Sequence, residues 1–273
     1  MIGQTGIKAT IKELVDNNKF PRFSILVGPA GSGKKLLCKY IATQVGAVEN
    51  LYGITVDEIR TLISAAYKVE MPILYVLADA DRMSSAAKNA LLKVTEEPPT
   101  NAYFVLTLTD INNTLGTIRS RGTVFHMNPY TVQELIEYAR NSVDDELDEE
   151  DINIITEICE TPGEVDTLLG MGTKQFYGYV EKVVDNIAVV SGSNSFKIAA
   201  KIKFKDTDTD KYDLRLFWKS FMSICSTRLL TDPMRYAVGI SITSKYLQDL
   251  RTVSINKAST FDMWLLEVRK AWM

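Results

Sequence analysis

Histidine occurs once in this 273-residue chain and cysteine three times, and no stretch reaches the roughly 18 uninterrupted apolar residues that a membrane helix needs. Cys38, Cys159 and Cys225 lie far apart and never form a C-x-x-C pair, which excludes a zinc ribbon, argues against a disulfide framework and leaves buried thiols as the reading. His126 sits in the apolar-flanked run TVFHM and reads as a satisfied strand residue without a catalytic partner. The opening MIGQTGIKATIKELV has no basic segment leading into an apolar one, so neither secretion nor membrane insertion is expected and a cytoplasmic location is. Excess positive charge is missing too. A net charge of −3 argues against a strongly basic surface that wraps DNA unaided, so any DNA contact is expected to be local or shared with partners.

What is present is an ordinary globular composition, 46% hydrophobic and 24% charged, long enough for two or three units of about 100 to 150 residues. The first half alternates helical patterns with continuous apolar runs: FSILV (23–27), PILYVLA (72–78), YFVLTLT (103–109) and TVFHM (123–127). Runs of that length between helices predict buried parallel strands in an α/β sheet. The sheet domain should end near Asn128 and Pro129. Helical patterns follow in TVQELIEYARN and INIITEICE, separated by the acidic run DDELDEED (144–151), which reads as a solvated loop with negative residues at a helix start.

SGSNS (191–195) is a small-polar break and a candidate junction. Beyond it, Leu214, Phe217, Phe221 and Ile224 follow helical spacing, as do Phe261, Trp264, Leu265, Val268 and Trp272; both stripes predict a bundle core or a helix-helix interface. The alternating carboxylates of DTDTD (206–210) suggest a calcium loop, but with Asp206 at its first position the required Gly and Glu are replaced by Lys211 and Phe217, which excludes it.

The strongest chemical signal is GPAGSGKK, formed by Gly28, Pro29, Ala30, Gly31, Ser32, Gly33, Lys34 and Lys35, between the FSILV strand and the helical run KLLCKYIATQV. A glycine-rich turn lets backbone N–H groups close on phosphate oxygens, the helix N-terminus adds partial positive charge, and a lysine bridges the terminal phosphates. Gly28, Gly33 and Lys34 fit G-x-x-x-x-G-K-[ST], but Lys35 replaces the hydroxyl that would ligate Mg²⁺, and an ammonium only donates. ATP with Mg²⁺ at a degenerate site is the resulting expectation. Asp79, at the end of the next apolar strand, can support the Mg²⁺ shell; no other metal ligand is expected. Ala80 stands where a glutamate would polarise the attacking water, and Asp81 is a poor replacement.

The stretch DADRMSSAAKNALLKVTEEPP (79–99) resembles the corresponding stretch of AAA+ clamp-loader gamma and delta-prime subunits, in which an acidic strand end leads into N-A-L-L-K-x-x-E-E-P-P. Its physical reading agrees: Ser84 or Ser85 can cap, Ala87, Ala90, Leu91 and Val94 share one face, and Pro98 and Pro99 stop the helix. Ile2, Gly3 and Gln4 resemble the family's G-Q motif beside the adenine pocket, NNKFPRFSILVGP its lead-in to the phosphate loop, and TDINNTLGTIRSRG its sensor-1 strand followed by S-R-C. The likeness covers roughly residues 1 to 170 well and the rest by architecture.

The resemblance implies an α/β P-loop AAA+ parallel-sheet core over 1–130, a helical lid over 131–190 and a helical collar for oligomerisation over 191–273. It implies that Thr109 is sensor 1, that Arg121 in Ser120-Arg121-Gly122 is an arginine finger offered in trans to a neighbouring ATP site, and that the partners are other AAA+ subunits, a sliding clamp and, through the assembly, primer-template DNA. The implied function is a delta-prime-like subunit of a DNA polymerase III hetero-oligomer that helps open the clamp and load it.

Departures from the family pattern are equally concrete. Lys35 and Ala80 are two; the third is CETPGEVDTLL, where Glu164, Val165 and Asp166 follow Pro162-Gly163 with no sensor-2 Arg. The zinc module common in bacterial relatives is absent from VGAVENLYGITVDEIR, so no zinc is expected. Weak or absent intrinsic hydrolysis within an ATPase complex is the expectation. The alternative is an ATP-hydrolysing motor subunit of a divergent clamp loader in which Asp81 or a partner supplies what is missing; a binding protein outside replication is a third. Arg82 and Lys88 flank the helix start after Asp79, where phosphates could meet them or where they are plain solvated charge.

Overall fold

The computed structural model describes residues 2–144, 146–189, 192–205, 208, 211–250 and 255–273. Two compact units divide the chain, Met1–Thr131 and Val132–Met273. In the first, α1 (Thr5–Asp16), β1 (Phe23–Val27), α2 (Lys34–Val45), β2 (Val48–Tyr52), α3 (Val56–Ala66), β3 (Ile73–Leu77), α4 (Ser85–Glu96), β4 (Ala102–Leu108), α5 (Gly116–Arg119) and β5 (Thr123–His126) follow in order. The five strands form one parallel sheet in the order β2-β3-β4-β1-β5.

The central strands are where the continuous apolar runs placed them. Every residue of β1 is buried, and Ile25 and Leu26 point to opposite faces, each into its own core. One face packs Tyr75, Phe104 and Leu106 against Leu62 of α3 and Leu91 of α4; the other packs Val76 and Val105 against Leu37 and Ile41 of α2 and Ile11 of α1. The sequence reading had no strand at Val48–Tyr52. This edge strand is half exposed throughout, so no apolar run announces it.

Local signals account for the helix ends. Thr55 and Glu58 form a reciprocal capping box on α3, Ser84 Oγ accepts the Ala87 amide at 3.1 Å, and α4 stops at Glu96 before the Pro98-Pro99 pair. At the unit's two ends, the buried Gln4 side chain donates to Asn128 O at 2.8 Å and accepts the Asn128 amide at 2.9 Å.

The second unit is helical: α6 (Val132–Ser142), α7 (Glu149–Ile158), α8 (Pro162–Met171), α9 (Thr173–Asn186), α10 (Gly192–Ala200), a short parallel pair β6 (Ile202–Lys203) and β7 (Tyr212–Asp213), α11 (Leu214–Thr227), α12 (Pro233–Asp249) and α13 (Lys257–Trp272). Both aromatic stripes are core: Phe217 and Phe221 of α11 meet Trp264 of α13 edge-on at 5.7 and 5.1 Å.

The expected break at 191–195 is corrected: Gly192–Ala200 is a helix, and of that stretch only Ser191 falls outside the described residues. Asp145 of the acidic run and Asp206, Thr207, Thr209 and Asp210 of DTDTD also lie outside them. Within the acidic run Asp148 caps α7, accepting the Asp151 amide at 3.0 Å. All three cysteines are free and buried, and burial pushes each thiol up to about 12. His126 is exposed at the end of β5.

Candidate functional site

Strand β1 ends in the phosphate loop, at the carboxyl edge of a parallel sheet where α/β folds place ligands. The loop's path depends on glycine. A Cβ on Gly28 would lie 2.6 Å from Met127 Cγ, and Gly33 has a φ of 84°, a conformation costly for any other residue. The Gly28 amide donates to Leu108 O at 3.0 Å and the Tyr130 hydroxyl to Ser32 O at 2.8 Å, so β4 and the segment after β5 fix the loop from outside. Tyr130 is a site residue that the sequence reading missed; neither periodicity nor motif marks it.

Lys34 opens α2 and is 7% exposed. Its ammonium folds back, donating to Gly28 O at 2.6 Å and Pro29 O at 2.8 Å. Burial pulls its pKa below the ordinary lysine value, against the opposing charges of Asp79 and Asp81. The structure therefore brings Lys34, Asp79 and Asp81 into one electrostatic neighbourhood, whereas Lys35 is exposed.

These residues fit a phosphate group. No side chain caps α2, leaving first-turn N–H groups aimed past the helix end, and Ser32 Oγ is buried without a hydrogen-bond partner. For a divalent cation carried with that phosphate they offer the exposed Asp79 carboxylate, but the position after Lys34 is an ammonium, which only donates.

Asp79 adopts a left-handed φ of 53°, its amide donates to Thr107 Oγ1 at 3.0 Å, and its carboxylate is exposed. Ala80 is 1% exposed and packs into the sheet core. Asp81 has a different occupation: Oδ2 accepts the Thr109 amide at 2.8 Å, while Oδ1 accepts the Thr109 hydroxyl at 3.0 Å, the Asn113 amide side chain at 3.1 Å and the Asp110 amide at 3.3 Å. A carboxylate so fully engaged holds the loop after β4 and has little capacity left to polarise water.

Arg121 follows α5 and is tied within its own unit, to Glu96 Oε1 at 2.7 Å and Thr117 O at 2.8 Å. Gly122 is tightly placed, since a Cβ there would come within 2.9 Å of Phe23 and Ile25 side chains. Lys88 donates to Asn113 O and Arg82 stays exposed. In the second unit Glu164 is buried and accepts Lys219 Nζ at 2.8 and 2.9 Å, and Asp166 accepts the Tyr138 hydroxyl at 2.9 Å. Both carboxylates are spoken for.

A parallel sheet with a glycine loop leading from β1 into α2 defines a P-loop α/β fold. Comparison with known proteins narrows this. Residues 48–131 match the family described as DNA polymerase III, delta subunit. Replication factor C small subunit 1 of Pyrobaculum aerophilum is 25% identical over 68% of this chain and 60% of its own length. DNA polymerase III subunit tau of Bacillus subtilis is 27% identical over 54% of this chain and 31% of its own. The chain thus spans less than two thirds of these relatives' length. A DNA polymerase III gamma subunit-related protein of Thermotoga maritima shares the fold, with a TM-score of 0.53 and 16% identity over 97% of this chain and 99% of that one. A Thermotoga maritima RuvB mutant shares it at a TM-score of 0.52 and 16% identity, over 96% and 88%. Over part of its length the chain is thus similar to DNA polymerase III and replication factor C subunits. Among the described residues no helix is long and apolar enough to cross a membrane.

Proposed function

We propose that this chain is a delta-prime-like subunit of a clamp loader, which keeps a phosphate cradle, hydrolyses what it holds weakly or not at all, and donates Arg121 to a neighbour's ATP. The observation that carries the reading is the contrast within one site: the Gly28–Lys34 cradle is intact, while Asp81 is consumed by Thr109, Asp110 and Asn113 and Ala80 is buried. Loss of one preorganised charge-stabilising group costs on the order of 10² to 10³ in rate. Here the metal hydroxyl, the glutamate and the sensor-2 Arg are all missing.

On this reading Gly28, Pro29, Ala30, Gly31, Ser32, Gly33, Lys34 and Lys35 line the nucleotide site, Asp79 supports Mg²⁺, and Thr109 is held by Asp81 rather than free to sense a γ-phosphate. ATP bound there supplies a polyanion that Lys34 and the α2 N-terminus neutralise. The lid (131–190) and collar (191–273) are the proposed divisions of the second unit, with neighbouring AAA+ subunits, a sliding clamp and primer-template DNA as partners and the cytoplasm as location. Arg121 would exchange Glu96 for a phosphate across the subunit boundary, where a guanidinium neutralises charge on the γ-phosphoryl oxygens.

Reconstitution with candidate AAA+ partners and a clamp tests this. Clamp-stimulated ATPase should fall on the order of 10² or more with Arg121→Ala and hold its level with Lys34→Ala. Unchanged turnover in the Arg121 variant removes the finger. A Lys34→Ala collapse instead makes this chain a motor.

A further inference from the structure

A groove of about 510 Å³ opens between α9 and α10 in the second unit, away from every nucleotide-site residue in sequence. Its floor is carbon: the Tyr179 ring, Val183 and Ile198. Its rim is three ammonium groups, Lys182, Lys197 and Lys201, all exposed.

The nearby carboxylates among the described residues turn to other partners than the rim lysines. The acidic neighbours on α9 are taken, since Glu181 and Asp185 both bind the Arg228 guanidinium. Asp208, the described carboxylate of the following loop, accepts the Phe204 and Lys205 amides and lies 3.9 Å from Lys211. Among the described residues no carboxylate pairs with Lys182, Lys197 or Lys201. Unneutralised lysines around an apolar trough attract a ligand that is both acidic and greasy.

We propose that this groove docks a short amphipathic helix of a partner protein, carrying aliphatic residues on one face and flanking Asp or Glu. The dimensions suit it: α9 lines the groove from Tyr179 to Asn186, about 10 Å or two helical turns at 1.5 Å per residue. Nucleic acid suits it less. Among the described lining residues only Tyr179 is aromatic, its ring tilted against Tyr212 at 5.0 Å between centroids, so successive bases would find no stacking platform. The mode is a helix laid in a groove and read through spaced apolar anchors. It is independent of the nucleotide reading.

The probe is a fluorescent, helix-stapled peptide of about 14 residues, four turns, with Leu at i, i+3 and i+4 spacing and Glu beside them. Anisotropy is measured with the full chain and with two variants that leave the folded core alone. Lys182→Glu/Lys197→Glu/Lys201→Glu should weaken binding at least about tenfold and remove its salt dependence, and Ala200→Trp, which fills the groove, should weaken it similarly at unchanged charge. Circular dichroism melting confirms that both variants fold. The proposal is overturned by no binding at low salt, by binding indifferent to both variants, by a single-stranded oligonucleotide that outcompetes the peptide, or by a dimer of this chain in sedimentation that the charge reversal abolishes.

Discussion

Asp81 and Thr109 are joined twice, the carboxylate accepting the threonine amide at 2.8 Å and its hydroxyl at 3.0 Å. Thr109 is thereby bonded to an acid just beyond the end of β3, with Asp110 and Asn113 completing the shell. Hydrogen bonds to a charged acceptor are worth about 1.5–3 kcal/mol each, less where solvent reaches them. Asp81→Ala should therefore destabilise the chain by about 1–3 kcal/mol in urea unfolding and speed amide exchange at Thr109 and Asp110. Full retention of their protection would show that the loop holds itself.

Lys34 sets two effects against each other. Its ammonium is desolvated, which costs stability, yet it satisfies Gly28 O and Pro29 O, which restores some. Lys34→Met removes both, so the ligand-free chain should stay within about 1 kcal/mol of wild type while affinity for a nucleoside triphosphate drops at least about tenfold in calorimetry. The wild type carries a pH signature. With the folded pKa below 10.5, the folded chain holds fewer protons than the unfolded one between the two values, and stability from this group rises with pH across that window. Stability profiles of wild type and variant that superimpose over that range would contradict the burial.

Gly122 stands where the similar S-R-C pattern has Cys, and it lies against β1. A Cβ would come within 2.9 Å of Phe23 Cε1 and Ile25 Cδ1, both in the sheet core. The substitution Gly122→Cys should cost about 1–3 kcal/mol as overpacking, read as a lowered melting temperature. An unchanged melt would mean that Ile25 swings aside freely.

A second pH signature belongs to α7. Lys174 donates to Asp148, with Glu150 at 3.5 Å and Asp151 at 3.8 Å beside it. The Lys174 bond, with the Asp151 amide, holds Asp148 below the ordinary 3.8, and Asp148 holds Lys174 above 10.5. The carboxylate's contribution is present above 3.8 and fades as pH falls through its depressed value; the lysine's is present below 10.5 and fades as pH rises through its raised value. Carboxyl NMR should show Asp148 titrating closer to 3.8 in Lys174→Ala, and an unmoved titration would dissolve the pair.

The fold was legible where burial is two-sided or strictly periodic. β1, β3 and β4 are apolar end to end because helices cover both faces, and the stripes of α11 and α13 repeat every turn. β2 escaped because an edge strand with Val48, Asn50 and Leu51 exposed follows no pattern at all. At 192–195, small polar residues that favour turns as isolated peptides are carried into α10, an instance of tertiary context overriding propensity. The phosphate loop could be read from its glycines, since the motif encodes backbone geometry. Tyr130 and the multiple engagement of Asp81 could not: each depends on elements about 28 or more residues apart meeting at the sheet's carboxyl edge.

The Gln4 and Asn128 pairing makes the ends of the first unit a mechanical clasp. Tension along the chain leaving β5 reaches the Tyr130 bond to Ser32 O first and then the two Gln4 bonds at Asn128, at 2.8 and 2.9 Å, before it reaches the β1–β5 ladder. Both bonds lie on one side chain, so they bear load together and fail together. Because Tyr130 holds Ser32 O at 2.8 Å two residues further along, the same outgoing segment is tied both to the first helix's entry and to the phosphate loop.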